Sequence, residues 1–458
     1  MQTRKADIAI IGAGTAGSTA FHALKAAGKQ VVLIDRGPLG TTCARVGCMP
    51  SKAALHAGMH WKVAKALAAS ATPSTQGPQA LWSHARQTRD ALASAAAERT
   101  RKAAGESLIM AEARFVAPGI LQAGEQRIEA GAFIVATGSR PVVPKALEGV
   151  ASRVLTTDTL FDLEVLPARM GILGLGAIGL ELGLALSRLD VQVVAADQKD
   201  TIGGIQDPDV LKRAIARFET ELPMWLGAAV EVSLEGDQVR MRTGEREALV
   251  DRLLVVTGRQ PNTEALDLAA AGISLDQAGR PSIDPATMQA PGSSQVPIFF
   301  AGDVQPDRPL MHEAADEGQM AAQAALSSLR GESWPGASRR VPITILFTDP
   351  DACAVGMTHE AAMQEGAVVG TAEGSGNGRS KILGAPENLL RIYADPGSGA
   401  LLGASMLLTQ GEHLAHLIAW AIQAKQTVND LLAMPYYHPS IEEMLQSALK
   451  SASQQMRP

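Results

Sequence analysis

Residues 7–35 read DIAIIGAGTAGSTAFHALKAAGKQVVLID, and residues 169–197 read RMGILGLGAIGLELGLALSRLDVQVVAAD. Each stretch opens on an apolar run of strand length and turns on closely spaced glycines. Each then continues as an Ala/Leu-rich helical segment and closes on a Val-rich run that ends in Asp. The spacing is shared: Gly12 to Asp35 and Gly174 to Asp197 both span 23 positions. This is a repeated βαβ unit of the dinucleotide-binding kind. Gly12 and Gly174 permit the tight turn after the strand. Gly14 and Gly176 let the backbone come close to a pyrophosphate, and Gly17 and Gly179 let the helix pack on the strand. The helix N-terminus then offers unpaired N–H groups and the positive end of its dipole to the phosphates. Asp35 and Asp197 stand where an acid accepts hydrogen bonds from an adenosine ribose. One such glycine pattern is weak evidence. Two copies, each between a strand and a helix with an acid at the same distance, leave ligand-free glycine turns as a poor competitor.

At 458 residues the chain is too long for a single core and points to about three domains. A formal charge of −6 argues against nucleic acid or an anionic membrane as the main partner. Three cysteines in this length cannot staple a secreted scaffold, and in a reducing compartment a close pair is catalytic or metal-binding sooner than structural. Arg4 and Lys5 before an apolar run faintly imitate a signal peptide, but Asp7 and the following glycines interrupt it, so Asp7–Ile11 reads as a strand. The longest apolar stretch elsewhere, Gly171–Ser187, is glycine-rich and carries Glu181, which suits a membrane span poorly. The expectation is a cytoplasmic protein.

Between the repeats, residues 52–105 are Ala-rich and read as helices, with a polar break over Ser70–Pro78. From about residue 340 a separate block begins. In it the strand-like runs VPITILF, LLRIYAD and ALLGASML alternate with helical runs, as in an α+β domain without a glycine fingerprint. Gln454–Pro458 reads as a frayed tail.

GTTCARVGCMPSK, residues 40–52, holds Cys43 and Cys48 five positions apart. Fully extended they would stand about 17 Å from each other, well beyond the ~5.5 Å Cα separation of a disulfide. The segment must coil back if they are to pair, and Gly47 is placed to allow it. Pro50 and Ser51 read as a first helical turn, which puts Cys48 near a helix N-terminus, where the dipole favours thiolate. Three readings compete. A metal site needs about four ligands, yet Cys353 is remote and the loop has no His, so no metal is expected. Inert core thiols are the second reading. A redox-active pair is the third, and the one the local chemistry favours.

The segment GTTCARVGCMPSK resembles the active-site helix of the pyridine nucleotide–disulfide oxidoreductases, whose members include dihydrolipoamide dehydrogenase, glutathione reductase and mercuric reductase. The likeness runs along nearly the whole chain. ATGSRP (136–141) is similar to the strand closing the FAD domain, and VVTGRQPN (255–262) to the end of the NAD domain. IFFAGDV (298–304) and HEAADEG (312–318) resemble the second FAD motif and its helix. YYHPSIEE (436–443) resembles the C-terminal catalytic stretch. Dihydrolipoamide dehydrogenases are the nearest branch. The SASQQMRP terminus lacks the extra Cys pair of mercuric reductases, and DQKDTIG (197–203) lacks the arginines with which glutathione reductases hold an NADPH phosphate. An Asp at the ribose would repel a 2′-phosphate, so NAD is favoured over NADP, for which Lys199 is the one argument. The chain departs from the family where Gly-Gly-Thr-Cys is Gly40-Thr41-Thr42-Cys43, and where His-x-His-Pro-Thr is Tyr436-Tyr437-His438-Pro439-Ser440.

The resemblance implies an α/β fold: two Rossmann-like dinucleotide-binding domains and a C-terminal α+β dimerisation domain. The FAD-binding domain would span 1–148, completed by a central part at 267–337. The NAD-binding domain would span 149–266 and the interface domain 338–458. It assigns Gly12, Gly14, Gly17, Asp35, Gly40, Thr42, Lys52, Ala113, Thr137, Gly138 and Asp303 to FAD, Asp303 facing the ribityl chain. It assigns Gly174, Gly176, Gly179, Glu181, Asp197 and Gly258 to NAD. Cys43 would exchange with substrate and Cys48 would pass electrons to the flavin. Lys52, one turn after Cys48, would pair with Glu181 beside the flavin. His438, oriented by Glu443, would serve as proton carrier for the disulfide of the other subunit, which makes a homodimer necessary. The implied reaction is dihydrolipoamide plus NAD+ to lipoamide plus NADH. The alternatives are an NAD(P)H-dependent reductase of another disulfide or electrophile, or a flavoprotein subunit of a 2-oxoacid dehydrogenase complex without turnover of its own.

Overall fold

A computed structural model describes residues 2–68, 77–277, 279–291 and 296–456. The chain divides into two compact units: residues 1–50, 86–142 and 258–339 form one, and residues 51–85, 143–257 and 340–458 the other.

In the first unit, Asp7–Ile11 belongs to a longer strand, Gln2–Ile11, at the middle of a mainly parallel sheet. Val31–Asp35 pairs with it on one side and Gln126–Val135, along its whole length, on the other. Ile298–Phe300 continues the parallel order beyond Phe133–Val135, while the lower half of that strand pairs antiparallel with Ile120–Ala123. Strict alternation explains why both faces are dry. Ile8, Ile10, Val31 and Leu33 point into one core, and Ala9, Ile11, Val32 and Ile34 into another. The first core is covered by the helices Thr15–Ala26 and Met311–Leu329. Their close approach needs Gly318, where a Cβ would come within 2.3 Å of the Ala16 carbonyl oxygen.

In the second unit, five parallel strands repeat the design, in the order Met224–Leu226, Gln192–Asp197, Arg169–Leu173, Arg252–Val255, Val154–Leu155. One face packs on the helix Ala177–Arg188, the other on a three-stranded antiparallel sheet through Val239, Met241 and Val250. The C-terminal block forms a five-stranded antiparallel sheet, in the order Ile343–Leu346, Asp351–Gly356, Leu401–Leu408, Leu389–Ala394, Val368–Glu373. Helices Gly411–Gln423 and Glu443–Ser453 cover one of its faces. The three runs read as strands lie in this sheet, joined by Asp351–Gly356 and Val368–Glu373, which the apolar pattern did not single out.

The Ala-rich stretch forms two helices, Cys48–Ala68 and Pro78–Ala104, and the polar break between them lies mostly outside the described residues. The expected frayed tail is corrected. Gln455 donates to the Val369 carbonyl at 2.8 Å and Met456 packs against the sheet core, so the chain is tied down that far. Residues 457 and 458 lie outside the described part.

Candidate active site

Both fingerprint turns have the same construction. A Cβ on Gly12 would stand 2.2 Å from the Ala136 carbonyl oxygen, and one on Gly174 2.6 Å from that of Val256, at φ of +105° and +99°. Gly17 and Gly179 repeat this, each with a Cβ position 1.9 Å from the carbonyl oxygen of the first glycine. Gly14 and Gly176 differ: they start the helices, carry no side-chain cap, and a Cβ there would meet nothing within 4 Å. Packing therefore demands the outer two glycines. The middle one faces open space beside unpaired helix N–H groups, which is the shape and charge a pyrophosphate requires.

The acids match as closely. Asp35 accepts from the N–H of Ala13 at 2.7 Å and of Gly37 at 2.6 Å. Asp197 accepts from Leu175 at 2.6 Å and Lys199 at 2.9 Å. Each carboxylate oxygen keeps a further lone pair for a ribose hydroxyl.

Other groups gather around the first cradle. Thr137 lies beside Gly12, and its Oγ1 is buried without a hydrogen-bond partner among the described residues. Such an orphaned hydroxyl calls for a ligand atom. Gly138, at φ +64°, has open space at its Cβ position. Gly258, assigned to NAD, follows Val256 and Thr257, whose backbone closes on Gly174 of the second cradle, and its Cβ position is open likewise. Asp303 follows the strand Ile298–Phe300 and is half-buried. Burial raises its carboxyl above the usual range, against the pull of Arg259 and Ser139, whose Oγ lies 3.5 Å away. Its turn is anchored from behind: buried Glu317 accepts from the Gly302 N–H at 2.7 Å and pairs with Arg339. Ala113 is placed in the strand Ala113–Ala117 with its side chain in the core. Ser139, Arg259 and Glu317 were not singled out from sequence.

Thr42–Arg45 forms a single helical turn, and the long redox helix starts at Cys48 itself. Gly47 makes this possible: a Cβ there would press on the Thr42 carbonyl oxygen at 3.0 Å and on Cys43 Cα at 3.2 Å. Gly40 likewise leaves no room against Ala93. Thr41, where the family has glycine, sits at φ 59°, ψ 146° and caps the short turn through Oγ1 to the Ala44 N–H at 3.1 Å. A β-branched residue there carries strain of about 1–3 kcal/mol. Both cysteines are thiols in this structure. The hydrogen bond to Cys48, followed by burial, pushes the Cys43 thiol far up. The backbone N–H groups of Cys48 and Met49 favour its thiolate against these two effects. Cys353 is buried in the C-terminal sheet, where burial pushes its thiol well up too. Among the described residues no group of three His, Cys, Asp or Glu side chains could hold a metal ion.

In the second unit, Lys52 on the redox helix stands 2.9 and 2.8 Å from the two oxygens of Glu181. Gly58 brings this helix close to the second fingerprint helix, its Cβ position 2.8 Å from the Ala185 carbonyl oxygen. Glu181 is buried and accepts a third bond from the Phe347 N–H at 3.0 Å, while the Lys52 ammonium lies 5.0 Å from the Phe347 ring centroid. A buried carboxylate that accepts three hydrogen bonds, two of them from a cation, is well compensated. His438 and Glu443 also meet, Nδ1 to Oε1 at 2.9 Å. The Ser440 N–H donates to Oε2 at 2.9 Å, and that bond, then His438, holds the Glu443 carboxyl below its usual range. His438 is 77% exposed, so its free nitrogen is open to a partner.

Among the described residues no helix is long and apolar enough to cross a membrane. The chain is 29% identical to the dihydrolipoyl dehydrogenase of Halobacterium salinarum over 97% of its own length and 96% of the relative's. It is 27% identical to a mercuric reductase of Lysinibacillus sphaericus, over 93% and 78%. Its fold matches the HOCl-induced flavoprotein disulfide reductase RclA from Escherichia coli, with a TM-score of 0.82 at 23% identity, covering 98% of this chain and 100% of the other. The model of the pyridine nucleotide-disulphide oxidoreductases matches residues 6–325, and that of their dimerisation domain residues 342–449. With nearly its whole length under these two models, the chain belongs to the pyridine nucleotide-disulphide oxidoreductases, enzymes that bind FAD and a nicotinamide dinucleotide.

Proposed function

We propose that this enzyme moves two electrons between a dithiol and NAD in the manner of dihydrolipoyl dehydrogenase: dihydrolipoamide plus NAD+ gives lipoamide, NADH and a proton. The observation that carries the reading is the loop around Gly47, which folds Cys43 back onto Cys48 at the start of a helix that also bears Lys52. A substrate thiolate attacks the sulfur of Cys43, the Cys43–Cys48 bond breaks, and Cys48 leaves as a thiolate eased by the helix dipole. The second substrate thiol then closes the lipoyl disulfide and releases Cys43. Bound FAD supplies the two-electron acceptor between Cys48 and the nicotinamide. Lys52, held in place by both oxygens of Glu181, contributes a fixed cation one turn from Cys48.

Proton traffic needs a base. The bond to Cys48 and burial hold the proton on Cys43, whereas His438 carries an oriented, open imidazole. This supports a homodimer in which His438 of one copy serves Cys43 of the other. Asp197 at the second cradle favours NAD over NADP. The location proposed is the cytoplasm, with a lipoyl group, free or carried on a 2-oxoacid dehydrogenase complex, as the partner. A second reading, a reductase of another disulfide or electrophile, is favoured by Tyr436, which stands two residues before His438 at a departure from the family motif and donates to the Leu431 carbonyl at 3.1 Å.

The test is an anaerobic titration of the yellow protein with NADH and with NADPH, followed by lipoamide, glutathione disulfide and small quinones. Two-electron reduction should raise a long-wavelength thiolate-to-flavin band, and lipoamide should reoxidise it. Flavin bleaching without that band, with no disulfide reduced, would refute the relay. A band reoxidised by another acceptor but not by lipoamide would select the second reading.

A further inference from the structure

Asn377 is buried and is joined to the His438–Glu443 pair through one residue, Ser440. Its Nδ2 donates to the Ser440 carbonyl at 3.1 Å, while the Ser440 N–H donates to Glu443 Oε2 at 2.9 Å. Ser440 is thus held at both ends, by an amide on one side and by the carboxylate that faces His438 on the other. The orientation of the Asn377 amide is not free. Its Oδ1 accepts from the Ser380 N–H at 2.7 Å, which caps the turn Gly378–Ile382. Only the amide nitrogen is then left to face Ser440. The Asn377 backbone is fixed as well, its N–H donating to Gly374 at 3.0 Å.

We infer that Asn377 is a positioning residue for this pair: by holding the Ser440 carbonyl it aims the Ser440 N–H at Glu443, and so keeps the carboxylate aligned on His438 Nδ1. The inference rests on the reading of His438 as the base for Cys43. A misaligned carboxylate stabilises the imidazolium less, His438 takes the thiol proton less readily, and the Cys43 thiolate forms at higher pH.

Two substitutions separate positioning from folding. Asn377→Ser keeps an oxygen to cap the turn but lacks the arm that reaches Ser440. Asn377→Asp keeps the cap and the length but turns a carboxylate oxygen toward the Ser440 carbonyl. The FAD-loaded, dithiol-reduced protein is alkylated with iodoacetamide across a pH series, a probe of thiolate that does not depend on the natural substrate. Both variants should react about ten-fold more slowly at neutral pH, with the pH midpoint about one unit higher, the equivalence of one pKa unit and a factor of ten. Their melting temperatures should stay within about 2 °C of the parent. Parent-like rates and midpoints in both, beside a slowed His438→Gln, overturn the inference alone. A parent-like His438→Gln overturns the base assignment and the inference with it.

Discussion

Gly176→Ala should damage nucleotide binding and leave the fold intact, whereas Gly179→Ala should do the reverse. Gly176 has φ −62° and ψ −172°, a backbone any residue adopts, and its Cβ position is clear of protein for 4 Å. Replacing glycine at such a position changes stability by less than about 1 kcal/mol, in the favourable direction. The new methyl group does project into the space where the helix N–H groups meet a pyrophosphate. Loss of one charge-assisted hydrogen bond costs about 1.5–3 kcal/mol, a roughly ten- to 150-fold weaker Kd. At Gly179 the Cβ would lie 1.9 Å from the Gly174 carbonyl oxygen, inside any allowed approach. The helix must then back off its strand, at a cost of about 1–3 kcal/mol or more. Stopped-flow reduction of the flavin against NADH concentration reads the first effect, and thermal melting reads the second. A Gly176→Ala protein with the parent's NADH dependence, or one that melts as early as Gly179→Ala, would refute the assignment of this cradle.

Cys48→Ser should keep its FAD and lose disulfide turnover; full activity would remove the sulfur relay. His438→Gln should slow turnover by about 10²–10⁴-fold, the usual worth of a positioned general base, and a parent-like rate would take His438 out of the mechanism. Glu221 offers a test of stability against pH. Burial pushes its carboxyl up, but Arg188 at 2.8 Å, Lys62 at 2.9 Å and Arg217 at 2.6 Å prevail and bring it from 4.5 to about 2. A depressed acid stabilises the fold above its unfolded value and loses that contribution as pH falls toward its folded one. Glu221→Gln should therefore cost about 3 kcal/mol at neutral pH, with the gap in melting temperature narrowing below pH 4.5. A gap independent of pH would show that the charge is not what holds this cluster.

Several parts of the site lie within short stretches of chain and could be read there. The glycine turns, Asp35, Asp197 and the loop of Cys43 and Cys48 each depend on residues fewer than about 25 positions away, because turn geometry and helix ends are local constraints. Thr41 shows how far that extends: its departure from glycine is visible in sequence, whereas its left-handed backbone and its cap on Ala44 emerge only with coordinates. Lys52 with Glu181 and His438 with Glu443 came from resemblance to a family, since nothing local marks either pair.

From sequence alone came two dinucleotide cradles, a redox-capable cysteine pair at a helix start, and a third domain without a fingerprint. Only the folded chain decided which backbone groups complete the site. The Phe347 N–H reaches Glu181 across 166 positions, Glu317 braces Gly302 across 15, and Asn377 reaches Ser440 across 63. An amide N–H looks the same in every residue of a sequence. What singles one out is the direction it points once distant segments have packed together, and no local pattern carries that direction.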